Sequence, residues 1–431
     1  MKFKHTFSEY LAILCIFSVF LDEAVRGILP FDLYYNYPVF LLFLVSQLLQ
    51  TGKLALFPRW FSAGIGIVFL ASLFITWYKN LLGFEYFKQV LGILFSSFTY
   101  YNVLYVLKFN ISKVFRYYLL FSFWVSIHGI IDNALHYAGI HLTTVNHAGP
   151  GMYREYGIMG EPFYLALALT PAVVYYLCYF IRTWQKAKFR FLIILVCYFV
   201  TYSSIALLGF VLGVLISLYI NDYFNARRNK LILIPVLILP VFFLINFLIE
   251  NIQLINARFY DTTSLFLSNE IQAKEAGKSN SSTFALYSNY AIARDSFIES
   301  PLFGSGLGSH PLIFEQTFKK YFPSNYLLMY GSQNQQDANS KFLRLMSETG
   351  LTGLILFFYA FIKFFASKRL MRTSHLKELG VINYSIFVYM ILGLIRNGNY
   401  INIGFFLFFF MYWISYRQIS ASRFAKISDG E

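Results

Sequence analysis

The chain has 431 residues, of which 58% are hydrophobic and only 13% charged. Soluble domains carry about 25% charged residues, so a water-soluble fold is excluded. The net charge of +14 would suit a nucleic-acid binder, but the basic residues sit in short loops between apolar runs, which is a pattern of membrane topology rather than of DNA or RNA contact.

A membrane-spanning helix needs about 20 apolar residues. Spans are predicted near residues 7–26, 31–50, 60–78, 89–107, 115–136, 162–181, 189–202, 204–220, 231–250, 346–366, 380–395 and 401–416. The pair around Tyr202-Ser203 is short enough to be one hairpin or one broken helix. The fold class is therefore all-α and polytopic, with about twelve transmembrane helices. The first run ends at Asp22-Glu23 without a small-residue cleavage site, so it is expected to remain as an anchor. Cys15, Cys178 and Cys197 lie in apolar runs and offer neither a disulfide framework nor metal spacing.

With the N terminus placed inside, twenty-two of the 35 Lys and Arg residues fall in inside segments and five in short outside loops. Both termini are then cytoplasmic. Residues 1–250 hold spans one to nine, residues 251–345 form one large extracytoplasmic loop, and residues 346–431 hold the last three spans and a cytoplasmic tail. That loop is too polar to span and too aromatic for a disordered linker. Short amphipathic helices on the membrane surface are expected there, with Phe314–Tyr330 at the headgroup level.

From Thr283 to Glu299 the period is helical. Phe284, Tyr287, Tyr290, Ala291, Phe297 and Ile298 fall on one arc, and Ser288, Asn289, Asp295, Ser296 and Glu299 on the other. Arg294 projects from the apolar arc, where a cation must snorkel, pair or meet an anion. Pro301 ends the helix. Gly304, Gly306 and Gly308 follow, a run able to turn tightly and bring backbone N–H groups to a ligand. It lacks the Lys-Ser/Thr of a P-loop. His310, next in line, reads as an ordinary loop histidine before it reads as a ligand contact.

"SPLFGSGLG" after Arg294, followed by Asn339 and "FLRLMSETGLTGL", resembles the O-antigen polymerase and O-antigen ligase superfamily. So does "YREYGIMGEPFYLAL", whose Gly-Glu-Pro step enters a membrane helix. The resemblance runs from about Arg154 to Gly353. It implies a GT-C-like glycosyltransferase of the bacterial inner membrane. Such an enzyme would transfer a glycan from undecaprenyl diphosphate onto a lipid-linked repeat unit at the outer leaflet, making O-antigen, capsule or exopolysaccharide. Ligases of the superfamily carry His before Asn where this chain has Ala338-Asn339, which favours the polymerase branch. The alternatives are an O-antigen ligase acting on lipid A-core and, from another class, a lipid-linked oligosaccharide flippase. A chain-length regulator would be a partner.

A departing diphosphate needs charge neutralisation, from a metal or from Arg and Lys. No Asp-x-Asp, His-Glu-x-x-His or close Cys/His cluster is present, so no metal and no cofactor is expected, and arginine, with its planar fork, is left. Arg294 and Arg154 are assigned to the diphosphate, with Arg258 and Arg396 as further contacts. Glu161 either caps the helix that Pro162 opens or orients and deprotonates a sugar hydroxyl. Arg344 either pairs within its helix with Glu348 or binds substrate. With Gly304, Gly306, Gly308, His310 and Asn339 it completes the substrate-binding set.

Overall fold

The computed structural model describes residues 6–21, 36–141, 147–149, 152–180, 188–221, 260–261, 263–267, 278–279, 281–323, 326, 334–371 and 373–428. The expected span at 231–250 and Arg258 lie outside the described residues. Within them the chain is all-α apart from a two-strand ribbon, β1 (His147–Gly149) antiparallel to β2 (Met152–Tyr153). Eight helices precede the large loop: α1 (Phe7–Phe17), α2 (Asn36–Thr51), α3 (Arg59–Tyr78), α4 (Phe84–Val106), α5 (Ile111–Tyr137), α6 (Pro162–Phe180), α7 (Lys188–Val200) and α8 (Ser204–Ile220). The loop supplies α9 (Ser281–Glu299) and α10 (His310–Tyr321). The chain then returns through α11 (Lys341–Lys363), α12 (Ser374–Arg396) and α13 (Phe405–Ser428). Five of these helices are long and apolar enough to cross a membrane, which fits an all-α polytopic membrane fold.

Helix starts follow local chemistry. Thr6, Asn110, Ser340 and Thr373 cap α1, α5, α11 and α12, each accepting from a backbone N–H three residues on, which satisfies a donor that the first turn leaves orphaned. Glu161 precedes Pro162, and its backbone carbonyl receives Tyr164 N at 3.1 Å. Pro162 stands at the first helical position, where its missing N–H costs nothing.

The core of the bundle is α6, which packs against α8, α12 and α7. Pro171 sits inside it, and the Tyr118 hydroxyl of α5 enters the ladder beside it. The hydroxyl donates to Ala168 O at 2.6 Å and accepts from Ala172 N at 3.3 Å. In hydrocarbon a broken backbone bond must find another partner. Tyr118→Phe is expected to leave both groups unbridged, at about 1–3 kcal/mol, and so to lower the thermal unfolding midpoint of the detergent-solubilised protein.

Two expectations for the large loop are corrected. Ser288, Asn289 and Ser296, placed on a solvated arc, are all buried. The cause is that α9 is held between α10 and α11 rather than lying on a membrane surface. Phe314 and Phe318 of the stretch expected at headgroup level are also buried, in a small core with Phe284, Tyr287 and Phe322. Aromatic side chains at helical spacing have packed on one another, giving the loop its own apolar centre.

Candidate functional site

The site is built around a break in α11. Gly350 has φ 60° and ψ −151° inside an otherwise helical run, a region of backbone space essentially restricted to glycine. The break frees carbonyls before it and amides after it. The Pro301–Gly306 segment satisfies both sets. Ser305 N donates to Ser347 O at 2.9 Å and Gly306 N to Glu348 O at 2.8 Å, while Leu351 N and Thr352 N donate to Pro301 O and Leu302 O at 2.8 and 3.0 Å. Irregular backbone at membrane depth survives only under such cover.

This geometry corrects the reading of Gly304, Gly306 and Gly308 as a ligand cradle. All three have positive φ. A Cβ at Gly304 would lie 2.6 Å from the Glu348 carbonyl carbon, and one at Gly308 would lie 2.7 Å from the Glu85 carbonyl. The glycines admit the chain between α11, α3 and α4, and the amides of Gly304, Ser305 and Gly306 are spent on protein carbonyls. Lys79, at the end of α3, adds a bond from Nζ to Ser305 Oγ at 3.0 Å.

His310 is not an ordinary loop histidine. It is fully buried, with Nδ1 2.9 Å from Ser347 Oγ and Nε2 2.9 Å from Asn289 Oδ1. Asn289 Nδ2 donates to Ala285 O, so its oxygen faces the ring and receives an Nε2–H. Nδ1 then accepts from the Ser347 hydroxyl. Burial, with the nearby Arg344 charge, pushes the imidazole down to about 3, so it stays neutral at physiological pH and ties α9, α10 and α11 together.

The charged centre lies just under two turns before the break. Arg344 is 1% exposed. Its Nε donates to Glu348 Oε1 at 3.0 Å, its Nη1 to Gly398 O at 3.4 Å, and its guanidinium lies 4.6 Å over the Tyr400 ring. Tyr400 in turn donates to Glu348 Oε2 at 3.0 Å. The intrahelical pair expected from the sequence is therefore present. It leaves one arm over, because Arg344 Nη2 is buried without an acceptor among the described residues. Asn339 and Asn397 repeat the pattern. Asn339 Oδ1 accepts from Asn334 and Asn397 Oδ1 from Asn399 N, which fixes each amide, and both Nδ2 groups lack an acceptor among the described residues. Lys341, 2% exposed, lies with Nζ 3.8 Å from the Phe405 ring centre, with the Asp337 carboxylate as a nearby counter-charge. Loop 397–400 is pressed against this centre, since a Cβ on Gly398 would overlap the Asp337 carbonyl.

Arg294 is half-buried on α9 and makes no hydrogen bond or ion pair among the described residues. Ala293 beside it packs against Ala338 and Leu343, so Arg294 stands next to the start of α11. Arg396 ends α12 with its guanidinium 5.8 Å from the Phe163 ring of α6. Arg154 is half-buried, with Nε 3.4 Å from Thr201 O. The structure thus brings Asn339 and Arg344 to the start of α11, with the backbone of α9 at Ala293 packed beside it. It sets Arg396 on the α6 side of the same end, near the Glu161–Phe163 helix entrance, and holds Arg154 on the chain before α8.

The sequence reading missed Lys341, Asn397 and Glu155. Lys341 was visible only as a neighbour of Arg344, and no spacing in the sequence brings Asn397 to it. Glu155 is 2% exposed, whereas Glu161 is exposed. Burial raises its carboxyl to about 7, aided by Asp132 and opposed by the bond it accepts from Gly157 N. A raised acid favours the folded state below its unfolded pKa and loses that contribution as pH rises to about 7. The unfolding midpoint is therefore expected to fall between pH 4.5 and 7.5, and the slope to flatten in Glu155→Gln. Among the described residues no three His, Cys, Asp or Glu side chains converge as a metal set.

Below the charged centre runs an apolar cavity of about 680 Å³ between α3, α11 and α13. Tyr400 and Phe405, the rings carrying Arg344 and Lys341, wall its upper end. Residues 189–358 match the family model described as O-antigen ligase. The match is consistent with the O-antigen ligase and polymerase superfamily, whose members are glycosyltransferase-like enzymes. It encloses Arg294, the glycine run, His310, Asn339, Lys341 and Arg344. It covers ligase and polymerase alike. No curated protein matches the chain.

Proposed function

We propose that the chain is a polysaccharide polymerase. In this reading it transfers a glycan from an undecaprenyl diphosphate donor onto an incoming lipid-linked repeat unit at the outer leaflet of the bacterial inner membrane. The observation that carries the proposal is the set of buried donors without acceptors among the described residues: Arg344 Nη2, Asn339 Nδ2 and Asn397 Nδ2, with the Lys341 ammonium on Phe405. Each such group costs free energy unless something accepts from it. A diphosphate supplies acceptor oxygens and negative charge together, and Arg and Lys at that place neutralise the group as it leaves. The apolar surface at these two rings suits the first carbons of a lipid donor.

The anomeric carbon is attacked by the acceptor sugar hydroxyl. The C–O bond to the diphosphate breaks, and the hydroxyl proton passes to a base. Arg294, unpaired beside this centre, is the second diphosphate contact. Glu161, at the mouth of α6 with Arg396 near it, is the proposed acceptor-orienting carboxylate. O-antigen ligase activity is the second reading, favoured by the description of the matching family model.

The test is polymerisation by purified protein given a lipid-linked repeat unit with chelator present. A ladder from wild type, lost in Arg294→Ala and largely lost in Arg294→Lys, is the expected result and would show a metal-independent reaction with a forked diphosphate contact. Transfer to lipid A-core without a ladder would establish the ligase. A full ladder from both variants would remove Arg294 from the site.

A further inference from the structure

The far end of the apolar cavity carries a second feature. The cavity follows α11 away from the charged centre, past Gly353 and Leu356, and finishes between Lys363 and Arg417. Both cations are exposed. Lys363 Nζ reaches the Tyr359 hydroxyl at 2.8 Å, and the Arg417 guanidinium lies 5.4 Å from the Trp413 ring. Neither makes an ion pair with a carboxylate among the described residues, and no Asp or Glu lines the cavity there. Trp60 and Trp413, with ring centroids 5.3 Å apart, mark this end with the amphipathic rings found at membrane interfaces.

The dimensions fit one leaflet. Gly353 to Lys363 is ten residues of helix, about 15 Å of rise, or roughly half of a 30 Å hydrocarbon core. The lateral wall is thin, because α3 is mostly uncovered, with 17% of its apolar window buried. Gly64 on α3 faces the cavity, and a Cβ there would meet nothing within 4 Å.

We propose that this end is a binding site for an anionic phospholipid of the cytoplasmic leaflet. The headgroup phosphate sits between Lys363 and Arg417, and an acyl chain lies in the cavity along Gly64 and Leu356. Basic pockets between membrane helices on the cytoplasmic side take anionic headgroups in this way. Charge complementarity selects the occupant, since two unpaired cations over an apolar slot favour an anionic lipid above a zwitterionic one. The site is separate from the charged centre at the other end of the cavity, and the proposal stands without the transfer reaction.

The test is native mass spectrometry of the full-length purified protein, titrated in turn with phosphatidylglycerol, phosphatidylcholine and glycerol phosphate. Retention of phosphatidylglycerol at least tenfold above phosphatidylcholine is expected, lost in the Lys363→Ala/Arg417→Ala double variant and kept in Lys363→Arg/Arg417→Lys. Gly64→Leu, which sends a side chain into the slot from a position whose Cβ meets nothing within 4 Å, should also lower retention tenfold. Equal retention of the two lipids, or an unchanged titration in the double Ala variant, would overturn the proposal. Displacement by glycerol phosphate as effective as by the lipid would reduce the site to an anion site and overturn the lipid assignment. Unchanged binding in Gly64→Leu would take the acyl chain out of the cavity.

Discussion

Arg344→Met should abolish ladder formation and also deplete folded protein, and the two effects should separate when Glu348→Gln is added. The single variant strands the Glu348 carboxylate, which is 0% exposed, with only the Tyr400 hydroxyl bonded to it. Breaking a buried pair by removing one partner costs roughly 3–5 kcal/mol. The double variant removes the charge, and the Gln oxygen can still accept from Tyr400. Folded yield and unfolding midpoint should therefore return close to wild type. Activity should not return. A lost donor at a departing charge costs about 10²–10³ in rate, and the Arg344 guanidinium stands with two other buried donors, Asn339 Nδ2 and Asn397 Nδ2, that lack an acceptor among the described residues. Wild-type ladders from the double variant would show that Arg344 serves only to pair Glu348, and the diphosphate assignment would then move to Arg294 and Lys341.

Gly350→Ala should be strongly disruptive for a single added methyl group. The position holds φ 60° and ψ −151°, which costs about 1–3 kcal/mol for a residue with a Cβ. Space is the second cost. The added carbon would lie 2.6 Å from Gly304 N and 2.7 Å from Pro301 O, so the covering segment must lift. That lift breaks the bonds to Ser347, Glu348, Leu351 and Thr352 and displaces the turn carrying Arg344. Loss of monodisperse protein in size-exclusion chromatography is the expected outcome. Gly393→Ala is the control. It sits inside α12 with nothing within 4 Å of its Cβ, so the better helix former should be neutral or slightly stabilising. If Gly350→Ala matched that control, the break in α11 would not be a fixed feature of the fold.

Hydropathy placed the helices because burial in lipid is decided residue by residue. Eleven of the expected spans coincide with helices between α1 and α13, and the one at 231–250 lies outside the described residues. The loop was harder to read. Periodicity showed that Thr283–Glu299 is a helix, but not which neighbours it meets. Asn289 and Ser296 looked solvated because polar residues usually are. They are buried because His310 and the Ser347 carbonyl accept or supply their hydrogen bonds, partners twenty to fifty residues away.

The sequence by itself determined the membrane class, the helical architecture and the polar segment around which the chain is organised, and it singled out Arg294 and Arg154 as the cations for a diphosphate, with Arg344 read as a partner of Glu348 or a substrate contact. These depend on local composition and spacing, which a linear text carries. Only the tertiary structure decided that the glycine run covers a broken helix rather than a ligand, that Glu155 is buried while Glu161 is exposed, and that Lys341 and Asn397 join Arg344. Each of those outcomes turns on which distant backbone group satisfies a donor or acceptor once water is excluded, and that pairing exists only when the chain is folded.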